Sequence, residues 1–509
     1  MLRALAERRS FPSPPCHGRL DAAFVEEYQV FRPDRGYLCA KLLAPLASRS
    51  PRCCFRLKNS NSGPFQTVGH LLSSWRRLPQ GRRGCLLPRR QESLLRQSRI
   101  VRPVYAERFR CIGSDCEDSC CCQDWRVDID RAAYEKYQTI PPGALRTLID
   151  DCVIRSTEVA AASHPDYFAQ IRVSPSTPCP LLSADRLCRM QTELGETYLP
   201  KVCASYPRRI HTIDSLEESP LSLSCPEAAR LVLLDPDLLA SNEARPHEVH
   251  WDDGATAAHG LRYYFWPLRE FSLGLVRNRA YPLWQRMFLL GSFSRRLNAF
   301  AQDPSNRGLP AFLRDFSAAV DAGTLRSSMN GIPADLALQF DFLLRLVAQH
   351  LNAVNRNPRM VETLQAFIRG VGYGSEATIE GQRAQYAAAY ERYFAPFVLK
   401  HPHILENYLL NMIFYRLFPL GAMLFDTADT PEPEREFAEL AIQFALIKGL
   451  LIGVAGHYHE AFSTRHVIQA VQTAFKHFDH NREFLDQAYR LLTERDLNNA
   501  RGLTMLLRN

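Results

Sequence analysis

Ten of the fifteen cysteines fall between Cys111 and Cys225, five lie in the first hundred residues, and none follows Cys225. Cysteines that serve only as small buried hydrophobes do not need to gather in this way. The charged residues of Met1–Ser10 are followed by no apolar stretch, so no secretory signal is visible. A reducing, cytoplasmic setting is expected, and there a cysteine cluster means metal or redox chemistry before it means disulfides.

The cysteines form two blocks. The first runs Cys111-Ile-Gly-Ser-Asp-Cys116-Glu-Asp-Ser-Cys120-Cys121-Cys122, and the second holds Cys179, Cys188, Cys203 and Cys225. A soft metal needs several thiolates within a few ångströms of one another, and short spacings bring them together at little cost in loop entropy. Gly113 gives the first block turn freedom. Cys225, before Pro226-Glu227, marks a helix start, and Cys203 follows Pro200 closely; exposed N–H groups there favour a thiolate. Cys152 stands alone after Asp150-Asp151 and reads as a buried free thiol. These nine block cysteines are the candidate metal ligands. Their spacings match neither zinc-finger pairs nor ferredoxin runs, and C-x3-C-x2-C is absent, so nothing supports a radical mechanism. From the residues alone, iron–sulfur and zinc both stay open.

At 509 residues the chain exceeds one small core. Residues 1–100 carry 19 Lys/Arg against 6 Asp/Glu, whereas the remainder carries 43 against 48. Arg-rich, Ser- and Pro-containing and without periodicity, the first hundred residues read as a disordered basic extension. No methionine lies between Met1 and Met190, and a start placed too early is a further reading of this segment. The mildly acidic remainder has no nucleic-acid footprint. Strict alternation in Trp125-Arg-Val-Asp-Ile-Asp130 predicts a short strand, with Asp130 capping a helix. Leu187–Leu194 reads as a helix closed by Gly195.

Beyond about residue 255 apolar residues recur at helical spacing, as in Leu336, Phe340, Leu343 and Val347. Phe437, Leu440, Phe444, Ile447 and Leu451, and Leu405, Tyr408, Leu409, Met412 and Tyr415, form two further stripes. Leu440–Val454 contains Gln443 and Lys448, so it reads as a buried helix and no membrane partner is expected. The expected fold is mainly α: a small cysteine-rich metal-binding unit with minor β content at 101–235, then an all-helical domain at 236–509.

The string Phe109-Arg-Cys-Ile-Gly-Ser-Asp-Cys-Glu-Asp-Ser-Cys-Cys-Cys-Gln-Asp-Trp-Arg-Val-Asp-Ile-Asp130 resembles the opening motif of the flagellin lysine-N-methylase family. So do Cys179-Pro-Leu-Leu, Leu187-Cys188, Leu194-Gly-Glu-Thr-Tyr-Leu199, Cys203-Ala-Ser-Tyr-Pro-Arg208 and Ser224-Cys-Pro-Glu-Ala228, while Glu406-Asn-Tyr408, Phe418-Pro419 and His480-Asn481 echo its helical half. The resemblance spans roughly residues 101–495 and overlaps a broader class with zinc- or iron-chelating cysteine clusters. It implies a 4Fe–4S cluster and methyl transfer from S-adenosylmethionine to lysine ε-amines of flagellin or a similar surface-filament protein. The family has a cysteine pair where this chain has the Cys120–Cys122 triplet.

Two other readings keep the cysteines but not the reaction: a structural zinc or iron–sulfur site beside a helical protein-docking half, and a redox or metal-handling protein. No catalytic residue and no donor-binding residue is assigned. Gly370-Val-Gly372-Tyr-Gly374 lacks the preceding strand of a dinucleotide loop and reads as a helix stop. Tyr105, Tyr134 and Tyr206 read as packing residues, and His401, His403, His457, His459, His477 and His480 as core or surface histidines. A protein shortened to begin at Arg99 is expected to fold and load metal like the full chain. Loss of solubility or of metal on this truncation would make the first hundred residues structural.

Overall fold

The computed structural model describes residues 99–509 except 102, 123–125, 158–165, 173–177, 215, 239–259, 304–305, 307, 355–356, 375–376, 426–431 and 480. The expectation of a disordered arm therefore falls outside the described residues, as do Trp125 and His480.

Strand β1 (Arg99–Val101) and the short helix α1 (Val104–Arg108) come first. The alternating segment then gives β2 (Val127–Ile129), with Val127 and Ile129 turned inward. Asp130 caps α2 (Arg131–Gln138), its carboxylate accepting the Ala133 amide at 2.9 Å. Helix α3 (Ala144–Cys152) leads into β3 (Val153–Arg155), and β4 (Ala169–Ile171) lies antiparallel between β2 and β3. Ile171 faces Val127 on one side and Val153 on the other.

The expected 187–194 helix begins two residues late, as α4 (Arg189–Leu194). Leu182 and Cys188 pair as an isolated bridge, and the Ser183 amide donates to the Leu187 carbonyl at 2.8 Å, so Leu187 belongs to a turn. Gly195 closes the helix at φ 90°. After α5 (Lys201–Ser205), β5 (His211–Ile213) and β6 (Leu216–Glu218) form a second sheet of order β1-β6-β5, β6 running parallel to β1 and antiparallel to β5. Helix α6 (Pro226–Leu233) starts where Cys225-Pro226 predicts.

Two hydrophobic cores serve this region. A small one collects Val127, Ile129, Tyr137, Ile149, Ile171 and Met190, with Cys179, Cys188 and Cys203 packed against it. The large one takes in Tyr105, Phe109, Leu221, Leu223 and Cys225 and continues through the helices that follow. The cysteine-rich stretch thus contributes to both.

From α7 (Phe265–Arg277) and α8 (Leu283–Ala301) to the end, the described chain contains no strand. Its principal pieces are α9 (Pro358–Gly370), α10 (His403–Tyr415), α11 (Pro433–Tyr458), α12 (Thr464–Ala474) and α13 (Ala500–Leu507). Helix α9 ends at the glycine run, as a helix stop does, with Gly372 at φ 66°. A Cβ on Gly370 would lie 1.8 Å from the Gly453 carbonyl oxygen, so α9 and α11 touch backbone to backbone.

By length and apolarity α11 passes as a membrane span, yet 94% of its most apolar window is buried inside the protein. It is a core helix. Its one buried cation, Lys448, donates to the Leu507 carbonyl at 2.8 Å and tethers the end of α13.

Helix α10 joins the cysteine-bearing segments to the helices. A single apolar face predicts partial burial, whereas every residue from Ile404 to Tyr415 is buried. Its polar residues meet partners instead of water. Asn407 Nδ2 donates to the Val232 carbonyl (3.0 Å) and the Asp235 carbonyl (2.6 Å), closing the end of α6. Asn411 donates to the Leu221 carbonyl at 3.0 Å and accepts the Tyr105 hydroxyl at 2.8 Å. Burial works against ionisation of Glu406, but Arg279 and Arg286 outweigh it and hold the carboxyl below its ordinary range.

Sheet β1-β6-β5 is pinned to α7 by a fully buried ion pair, Arg269 Nη1 lying 2.6 Å from a Glu218 oxygen, with the guanidinium stacked over Phe265. Glu218→Gln leaves the guanidinium buried opposite a neutral amide. A loss of about 3–5 kcal/mol is expected, read as a lower urea midpoint. A change below roughly 1 kcal/mol, the worth of an exposed pair, would mean that water reaches it.

Candidate metal centre

The backbone brings the two cysteine blocks together before any side chain is considered. Gly113 opens a 3-10 turn at φ 57°, and a Cβ there would sit 3.3 Å from Leu187 Cδ2. Glycine therefore lets the first block lie against the turn that carries Cys188. Arg186 fastens this contact, Nη2 donating to the Cys116 carbonyl at 2.7 Å and Nη1 to the Ser114 carbonyl at 3.2 Å. Cys120, Cys121 and Cys122 form a second 3-10 turn. The Cys122 amide donates to the Ser119 carbonyl at 3.1 Å, and the Cys179 amide to the Cys121 carbonyl at 2.7 Å. The remaining cysteines stand at helix positions: Cys188 is the residue just before α4, Cys203 lies within α5, and Cys225 is the residue just before α6, with proline next to it.

All ten described cysteines are free thiols. The Cys121 thiol donates to the Cys120 sulfur, which together with the nearby Lys476 brings Cys120 down to about 7 against the effect of burial. The same bond, then burial and the charges of Cys120, Cys179 and Cys188, push Cys121 far up. Burial first, then Cys120, Cys179 and Cys188, raise Cys203. These five thiols feel one another. Cys225 is pushed up to about 12, by burial and then by Cys116 and Cys120 among others, and burial chiefly pushes Cys116 to about 11. Cys120 thus acts electrostatically on both Cys203 and Cys225.

Cys111 is exposed at the end of the segment. Cys152, isolated in sequence, is buried in the small core, where burial and then its neighbour Cys179 raise it to about 11. It lies closer to the cluster in space than spacing suggests. Among the described residues, no group of three or more His, Cys, Asp or Glu is arranged to hold a metal ion. The fold gathers the thiols without closing them into a chelate.

Around them lies a polar shell that sequence reasoning missed. Glu117 accepts Arg230 Nη2 at 2.7 Å, and Asp118 accepts Lys476 Nζ at 2.9 Å and Gln472 Nε2 at 2.7 Å. Gln472 also donates to the Ser224 carbonyl at 2.9 Å. The Tyr206 hydroxyl meets Ser224 Oγ at 3.1 Å, and Ser224 meets Ser222 at 2.7 Å. His477, beside Lys476, is pushed down to about 4 by burial and then by that ammonium, so its imidazole is neutral at pH 7. The one signal in the sequence was the Glu117-Asp118 pair, two carboxylates inside a cysteine loop that call for nearby cations. As expected, Tyr105 and Tyr134 pack, the latter edge-on to Phe168 at 5.2 Å.

Residues 269–506 match the model of the FliB lysine N-methylase C-terminal domain. The flagellar biosynthetic protein FliU of Salmonella muenchen is 31% identical over 180 residues, 35% of this chain and 98% of that protein. Lysine-N-methylases of Salmonella typhimurium and Salmonella choleraesuis are each 33% identical over 150 residues, 29% of this chain and 36% of theirs. The match thus spans about a third of the length of these two enzymes. No solved structure matches. With its helical part matching the family's C-terminal domain and FliU covered almost end to end, the chain belongs to the flagellin lysine-N-methylase family.

Proposed function

We propose that this protein transfers methyl groups from S-adenosylmethionine to lysine ε-amines of flagellin or a similar surface-filament protein, in the cytoplasm, with a 4Fe–4S cluster held by cysteine thiolates. The observation that carries the cluster reading is the backbone joining of the two blocks, which gathers Cys120, Cys121, Cys179, Cys188 and Cys203 as free thiols. Thiolates suit a soft metal, and coordination would release the thiol protons. The ligands would come from these five with Cys116 and Cys225. When bound, the cluster supplies either a Lewis acid for the donor or a rigid wall for its pocket.

Methyl transfer breaks the sulfonium S–CH3 bond and forms an N–CH3 bond, so the lysine nitrogen must first lose a proton. The surroundings of the cysteines favour neutral groups: burial raises Tyr206 well above its ordinary value and lowers His477. A lysine side chain entering such a place is desolvated and shifts toward the free amine. Lys448 is the parallel within this chain, brought to about 7 by burial. Lys476 offsets the charge of Asp118, which would otherwise hold an incoming ammonium protonated.

Three measurements check this reading. Anaerobically purified protein should contain iron and acid-labile sulfide in about equal amounts, as a 4Fe–4S cluster requires; zinc without sulfide would leave the structural-site reading in its place. Cys152→Ala should keep the metal, whereas serine at Cys120, Cys188, Cys203 or Cys225 should reduce it. Equal loss at Cys152 would show that the ligand set is wrong. Finally, incubation with S-adenosylmethionine and flagellin should add 14-Da increments (roughly the mass of one CH2 per transfer) to flagellin lysines by mass spectrometry. Unmodified lysines despite a loaded cluster would overturn the substrate assignment.

A further inference from the structure

We infer that Gln472 and Lys476, on the helical side, are positioning residues that hold the two cysteine blocks in register for metal binding. This rests on the metal reading above. The Gln472 amide is fully buried and uses both of its hydrogens on the cysteine-bearing segments. One goes to Asp118, inside the loop between Cys116 and Cys120, and the other to the carbonyl of Ser224, the residue before Cys225. A single side chain therefore spans segments that are 106 positions apart in sequence, counted from Asp118 to Ser224.

Lys476, one turn further along, adds an ion pair to the same carboxylate. Both partners are almost buried, at 13% and 12% side-chain exposure, so the pair is little screened. On the far side of the loop Arg230 holds Glu117. The Cys116–Cys120 loop is thus fixed by its two carboxylates from two different helical elements.

The geometry separates this role from ordinary packing. Gln472 Oε1 is buried with no hydrogen-bond partner, so the side chain is oriented by its donors alone. Removing the amide leaves the Asp118 carboxylate without one of its two donors and frees Ser224 from Asp118. The hydrophobic core around α12, with Val467, Ile468 and Val471 buried, is left in place. Outer-shell contacts of this kind typically change metal affinity by roughly 10–100-fold when lost.

The test uses the full chain reconstituted anaerobically with ferrous iron and sulfide. Iron release to a chelator is followed for the wild type, Gln472→Met, Lys476→Met and Lys476→Arg. Both methionine variants should release iron at least about ten times faster, with altered visible absorption, and by more than the fall in their metal-free thermal unfolding midpoints accounts for. Lys476→Arg keeps the charge and should restore slow release. Should Gln472→Met not fold, the more exposed Lys476→Met carries the comparison. Release at the wild-type rate from the methionine variants would overturn the positioning role. So would a loss of metal-free stability large enough to account for faster release. Failure of the wild type itself to take up iron would instead bring down the metal reading on which this inference stands.

Discussion

Everything in this molecule depends on burying amides and charges at the seam between the cysteine-bearing segments and the helices. Helix α10 crosses that seam with Glu406, Asn407 and Asn411 wholly inside. A buried amide without partners costs more than its hydrogen bonds add when made, so such a helix is stable in one setting only. Asn407 closes α6, Asn411 reads the Leu221 carbonyl and the Tyr105 hydroxyl, and Glu406 gathers two arginines. Sliding α10 by a turn would orphan all of them. The seam therefore sets where Cys225, at the start of α6, must lie.

On that frame the cysteine site is assembled by backbone contacts first and side chains second. The Cys179 amide on the Cys121 carbonyl and the Arg186 bonds to the Cys116 loop join the blocks irrespective of any metal. What they leave is a set of free thiols in which Cys120 is brought down by its neighbour Cys121 and by Lys476 against the effect of burial. Among the described residues these thiols are not closed into a metal-holding group.

Much of this was legible in the sequence, and the parts that were not share a physical reason. The β2 alternation, the Asp130 cap, the Cys225-Pro226 helix start and the glycine stop after α9 are local signals, each decided by a few neighbouring residues. The two cysteine blocks were legible because clustering of one residue type needs no fold to be seen. The 187–194 helix began late because a hairpin-like turn at Leu182–Cys188 took its first residues, a tertiary choice. Helix α10 read as having one apolar face because its buried polar residues are satisfied by carbonyls from segments about 170–190 positions earlier in the chain. Gln472, Lys476 and His477 were invisible as site residues for the same reason: nothing near them in sequence says what they face.

The separation between Asp118 and Gln472 also bears on how the molecule comes into being. The two residues lie 354 positions apart. A chain growing on the ribosome at several residues per second exposes its cysteines many seconds before the helix that orders them exists. Through that interval Glu117 can meet Arg230, but Asp118 lacks the Lys476 ammonium and the Gln472 amide. Final setting of the loop waits for Gln472 and Lys476 to be made. Closure of the loop from the helical side is then a late event, and chain synthesis itself acts as its timer.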